Sequence, residues 1–206
     1  MKGRWTGRKV VNLAERKKNL PQSRYPKEVF LKDGTDVVLR PMTGDDTPRI
    51  CRFHGGLNPS LLWFMKENPC DPEVIRKWMR YQEAGNAFSV VADHEGDIVG
   101  YAALLMRPHG GRKHVGRLRI YVAEAFRSKQ LGTWLVFDMI QYAMEIDLEL
   151  LRTDFIIGID DQAIDALRKL DFVSQGVLKN YVKDDLGGYR DYQIMIKHLH
   201  REWSDF

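Results

Sequence analysis

The segment LGTWLVFDMIQYAMEI, residues 131–146, restricts the fold more than any other. Its apolar side chains run nearly all the way round a helix of 3.6 residues per turn. A helix of that kind has to be covered on most of its circumference, so the rest of the chain must supply a broad apolar layer. It is too short to be that layer's substitute in a bilayer, since no apolar run approaches the roughly 18 residues that a membrane span needs.

Strand-like runs supply the layer. TDVVLRPM (35–42) follows the Asp33-Gly34 turn and reads as a first strand. A helix is expected from about Thr43–Thr47 to the Gly55-Gly56 stop. DPEVIRKWMRYQEAG predicts a second, with Asp71 as its cap, Pro72 in its first turn and Gly85 at its end. AFSVVAD and DIVGYAALLM, joined by HEG, form an antiparallel hairpin. VGRLRIYVAEAF is a further strand, and the junction FRSKQLGTWL turns it into the apolar helix. ELLRTDFIIGI is the next strand. DDQAIDALRKL is a short helix with Ala163, Ile164, Leu167 and Leu170 inward. FVSQGVLKNYV and YRDYQIMIKHL close the chain as a hairpin. Strands mixed with a few helices imply an α/β (α+β) sandwich around one mixed sheet.

The 206 residues fit one compact domain with an appendage, and 44% apolar residues are enough for a sizeable core. Cys51 and Cys70 lack C-x-x-C spacing, so neither a zinc site nor a disulfide framework is expected, and a reduced, cytoplasmic setting follows. The N-terminus has charges but no apolar core of a secretory signal. Residues 1–27 carry nine positive side chains against Glu15, a net +8, which leaves −4 for residues 28–206 within the total of +4. They read as a basic arm, with a short helix over Arg8–Asn19 ended by Pro21, and the folded body starts near Tyr25. Such charge suits nucleic acid or another acidic partner, but without an aromatic stacking pattern a solvated or packing arm is the plainer reading.

The junction FRSKQLGTWL has its own chemistry. A strand that breaks into a helix presents free backbone N–H groups which, with the helix dipole, attract an anion. Arg127 and Lys129 add positive charge, and Gly132 lets a ligand approach the backbone.

The order of elements, together with this junction, resembles the GNAT superfamily of N-acetyltransferases. Arg127-Ser128-Lys129-Gln130-Leu131-Gly132 stands against the family's Arg/Gln-x-x-Gly-x-Gly/Ala. IYVAEAFR is similar to the strand ending in Val-x-Pro-x-Tyr-Arg, and DDQAIDALRKLDF to Asn-x-x-Ala-Ile-x-Leu-Tyr-x-Lys-Leu-Gly-Phe. LKDGTDVVLRPMTGDD and the terminal VSQGVLKNYVKDDLGGYRDYQIM resemble bacterial members that acetylate protein lysines or small amines. The resemblance implies a mostly antiparallel central sheet with helices on both faces, spanning residues 28–206. It implies that acetyl-CoA is the acyl donor, with no metal. Its pyrophosphate would lie on the amides of Arg127, Ser128, Lys129, Gln130, Leu131, Gly132 and Thr133, beside Asp160. Its pantetheine arm would pair with Ile120, Tyr121 and Val122, and its thioester would sit where that strand splays from FIIGI. The amine, a protein lysine or a small, anionic amine, would attack directly. Homodimers are frequent in the family.

Four positions depart from the pattern. Gln130 replaces a glycine and costs on the order of 1 kcal/mol if its φ is positive. Asp160 stands where asparagine is frequent. Leu167 replaces a tyrosine that protonates the leaving thiolate, which leucine cannot do. Arg117 takes the place of a glutamate base and cannot accept a proton. Strand alternation puts Arg117, Arg119 and Tyr121 on one face, where the two arginines either bind an anionic substrate or pair with acidic neighbours. Glu124 and Tyr181 are the candidate base and acid, with His94, His109, His114 and Tyr189 as weaker ones. His198 and His200, two apart, are a weak metal hint. These departures keep open a second reading, a non-catalytic member of the fold that binds acyl-CoA as a sensor or interaction module.

Overall fold

A computed structural model describes residues 24–199. Eight strands form one sheet in the order β1-β2-β3-β4-β5-β6-β8-β7. They are β1 (Lys27–Phe30), β2 (Asp36–Pro41), β3 (Ala87–His94), β4 (Asp97–Leu105), β5 (Val115–Val122), β6 (Leu150–Ile156), β7 (Val173–Lys183) and β8 (Tyr189–His198). Every neighbouring pair is antiparallel except β5 and β6, which run parallel. The helices are α1 (Thr47–Gly55), α2 (Pro59–Trp63), α3 (Pro72–Glu83), α4 (Leu131–Glu145) and α5 (Asp161–Arg168). Side chains of α4 and α5 join one core on one face of the sheet. Those of α1 and α3 join a second core on the other. The expected mixed sheet with helices on both faces is present.

The local rules explain most elements. The Asp71 carboxylate accepts from the Glu73 amide (2.9 Å) and Pro72 opens α3, as the sequence predicts. The β3–β4 turn puts Glu95 and Gly96 at positive φ (52° and 88°), the twist that a tight hairpin needs. α4 seats closely on the sheet because β4 offers Gly100: a Cβ there would lie 3.1 Å from Leu135 and 3.2 Å from Leu131.

Three expectations need correction. The first strand is β1, not the run at 35–42. KEVF is short and charged, and it becomes a strand only by pairing with β2. α4 is not covered all round, since Phe137 and Met144 remain 48% and 39% exposed on its outer side. Ala163, expected inward, is exposed, because only Ile164 and Leu167 of α5 reach the core.

The boundary of the basic arm also moves. Residues 24–27 belong to the body because of Asp138, a fully buried carboxylate on α4. The Tyr25 hydroxyl donates to it, Arg24 lies 3.3 Å away and Lys27 3.7 Å away. A lone buried carboxylate is expensive unless it is paired and hydrogen-bonded, and these residues do both. The remainder of the arm, with the expected helix at 8–19, lies outside the described residues.

Candidate active site

The site begins at the one parallel pairing. β5 and β6 are in register only over Val115–Arg117 and Leu150–Arg152. β5 stays paired to β4 as far as Val122, and β6 stays paired to β8 as far as Ile156. The two strands therefore diverge beyond Arg117 and Arg152, and a wedge-shaped gap opens inside the sheet. The Ala123 amide donates to Val99 O of β4 (2.9 Å). Backbone groups alternate along a strand, so the amides of Ile120 and Val122 face the opposite way, into the gap.

The loop at the wide end of the gap is shaped for an anion. Ser128 and Gln130 both have positive φ, 59° and 72°. Left-handed residues in a turn of this kind converge successive N–H groups on one concavity. The first helical bond of α4 runs from Trp134 N–H to Gln130 O (3.1 Å), so the amides of Leu131, Gly132 and Thr133 precede it, and no side chain caps them. The strain at Gln130 is thus present in the folded chain before any ligand arrives, and it weighs on stability rather than on binding.

The flanking charges are partly committed. Lys129 is paired with Asp33 (2.8 Å), whose carboxyl is pushed down to about 2, mainly by that contact. Its carbonyl holds the β1–β2 turn through the Lys32 amide (3.1 Å). Arg127 donates weakly to Val122 O (3.4 Å). Asp160 turns its carboxylate back to accept from the Ile156 amide (2.8 Å). Burial raises its pKa, while that amide and Arg127 oppose the rise, so less of its charge faces an incoming phosphate than the sequence suggested.

On the other side of β5, under α1–α3, lies a cleft of about 150 Å³. Arg119, Tyr121, Tyr101, Ser89, Trp78 and Glu67 shape it. Trp78 stacks on Tyr101 (5.8 Å, 20°) and donates to Glu67 (3.0 Å), which also takes Lys77 at 2.5 Å. Beneath this wall sits His54, fully buried among the rings of Phe53, Trp78, Tyr101 and Tyr121. Its Nδ1–H donates to Ile50 O (2.9 Å), which leaves Nε2 an acceptor without a partner. Burial pushes its pKa down to about 4, so the ring is neutral.

The chain matches the acetyltransferase (GNAT) family over residues 59–172. It belongs to the GNAT acetyltransferase family. No curated protein matches it in sequence. Among solved structures it is similar to the ribosomal-protein-alanine N-acetyltransferase of Brucella melitensis, at 26% identity and a TM-score of 0.70, covering 78% of this chain and 99% of that one. An N-acetyltransferase from Staphylococcus aureus shares the fold at 18% identity and a TM-score of 0.70, covering 80% and 99%. So does an acetyltransferase from Salmonella typhimurium, solved with its cofactor acetyl-CoA, at 19% and 0.68, covering 81% and 96%. The chain is thus a GNAT-type transferase, of a family that uses acetyl-CoA.

The GNAT frame sorts the sequence-derived candidates. Arg117, in the place of the family's glutamate, lies 2.6 Å from Asp154 and donates to the Tyr192 hydroxyl (3.2 Å). It pairs structurally with the adjacent strand, as one of the two readings held. The Arg119 guanidinium makes no ion pair or hydrogen bond among the described residues and lines the cleft. Leu167 is buried in the core, where it offers no proton. Glu124 is exposed on a 3-10 turn (Glu124–Phe126). Tyr181 is 63% exposed on the edge strand β7, against Tyr192 (5.4 Å). Glu124 and Tyr181 are not among the residues that line the cleft: one lies on an exposed turn, the other on the edge strand β7. His94 is tied to Asp36 O (2.7 Å), and His200 lies outside the described residues. Among the described residues no group of His, Cys, Asp or Glu is arranged to hold a metal, and no helix is long and apolar enough to cross a membrane.

Sequence reading missed His54, Asp154 and Tyr192. A single histidine in a helix, or an aspartate between two arginines of different strands, has no signature until the strands are aligned.

Proposed function

We propose that the chain is an acetyl-CoA-dependent N-acetyltransferase acting on a primary amine. The observation that carries this reading is the gap. Outward amides on β5, the uncapped start of α4 and the left-handed loop at its mouth form one continuous track of donors. A phosphate group fits the loop end and an extended amide-bearing arm fits the strand. A thioester at the narrow end would lie beside Arg119 and the cleft. The amine nitrogen attacks the carbonyl carbon as the carbon–sulfur bond breaks. One proton leaves the nitrogen and one is taken up by the departing thiolate. The chain's part is to position the amine, exclude water and supply a proton acceptor.

Leu167 and Arg117 favour one other reading, an acyl-CoA-binding member without turnover. Calorimetric titration with acetyl-CoA, CoA and a longer acyl-CoA, followed by an amine screen with thiol detection, separates them. Micromolar binding with thiol release upholds the enzyme. Binding without release on any amine turns the reading to a sensor, and no binding at millimolar ligand removes both.

A further inference from the structure

We infer that the acceptor is a small amine that carries a carboxylate, an α-amino acid with an aromatic or large apolar side chain, and that Arg119 selects it. The inference rests on the transferase reading and deepens it. Four cleft-lining groups are charged: Lys66, Lys77 and Arg119 against Glu67, a net of +2. Glu67 is already answered by Lys77. Arg119 and Lys66 are the lining cations with no ion pair among the described residues, and of the two only Arg119 has a planar fork that matches a carboxylate. The walls beside it are aromatic: Trp78 and Tyr101 stacked, Tyr121 next to the gap. A volume of about 150 Å³ takes one amino-acid side chain.

Across the widening gap Asp154 is already committed: it is 3% exposed, Arg152 donates to its Oδ1 (2.7 Å) and Arg117 lies 2.6 Å from its Oδ2. A zwitterion therefore meets Arg119 on β5 through its carboxylate, with its side chain directed into the aromatic cleft. The ammonium gives one proton to solvent to become the attacking amine, and the second proton goes to the leaving thiolate. The products are an N-acetyl amino acid and free CoA.

The test compares L-phenylalanine and L-tryptophan with phenethylamine and tryptamine, which lack only the carboxylate, and with peptides bearing an N-terminal alanine or an internal lysine. Thiol release should favour each amino acid over its decarboxylated partner by about 30- to 100-fold in kcat/KM. Arg119→Met should reduce that preference to within about threefold and leave calorimetric acetyl-CoA affinity unchanged, which also shows that the variant folds. Arg119→Lys should restore part of it. Equal use of acid and amine, a peptide as the best acceptor, or a preference that survives Arg119→Met overturns the inference. If no amine releases thiol, quenching of tryptophan fluorescence by the same ligands with CoA present decides it. Carboxylate-dependent quenching lost in Arg119→Met upholds the site while the transferase reading falls. Quenching indifferent to the carboxylate removes the site as well.

Discussion

Ile120 and Val122 meet the gap with their amides, whereas Arg119 and Tyr121, on the same strand, meet the cleft with their side chains. On the proposed function, one strand would serve two ligands with different parts of itself. Each side tolerates different substitutions. A backbone track survives changes of residue type, which is why Gln130 can stand where a glycine is usual. The cleft depends on the identity of each side chain, and a change there alters what is bound.

Measurements on variants put this contrast to the test. The largest effect belongs to the cleft side. His54 has a folded pKa of about 4 against an ordinary 6.5. Its contribution is complete above pH 6.5, where it is neutral in both states. As pH falls the unfolded chain takes up a proton that the folded chain refuses, and stability is lost until about pH 4. The loss should be roughly 3 kcal/mol, and denaturant unfolding of wild type and His54→Leu across pH 4–7 checks it by a flatter profile in the variant.

On the cofactor side, charge should matter and size should not. Gly132→Asp places a carboxylate at the start of α4 and should weaken acetyl-CoA by roughly 100-fold in calorimetry. A Cβ at Gly132 meets only Val122, at 3.8 Å, so Gly132→Ala should stay within about threefold. Comparable losses in both would mean that side-chain space, not backbone, holds the ligand. Gln130→Gly should raise unfolding stability by about 1 kcal/mol with a smaller gain in affinity, because the left-handed conformation is already present. Lys129→Ala should change affinity less than about threefold, since its ammonium is committed to Asp33.

Much of this was legible in the sequence. The junction at 126–135, the α4 segment and the two hairpins carry their own local signals, in turn glycines, caps and periodicity. So does the strand alternation that puts Arg117 and Arg119 on one face. What was not legible depends on partners far apart in the chain. β1 exists only through β2. Asp138 explains residues 24–27 only once α4 lies beside them. The different fates of Arg117 and Arg119 follow from where β6 parts from β5, and no pattern within VGRLRIYV separates them. Gly100 reads as a weak point in a strand until Leu131 and Leu135 are seen to need its missing side chain.

The three-pair limit of the parallel ladder reaches beyond chemistry. In the free protein, amide hydrogens along β5 should exchange with solvent in alternation: Arg119 and Tyr121 slow, bonded to β4, and Ile120 and Val122 fast, open to the gap. A single strand would carry two clocks, and a ligand lying in the gap would stop only the faster one.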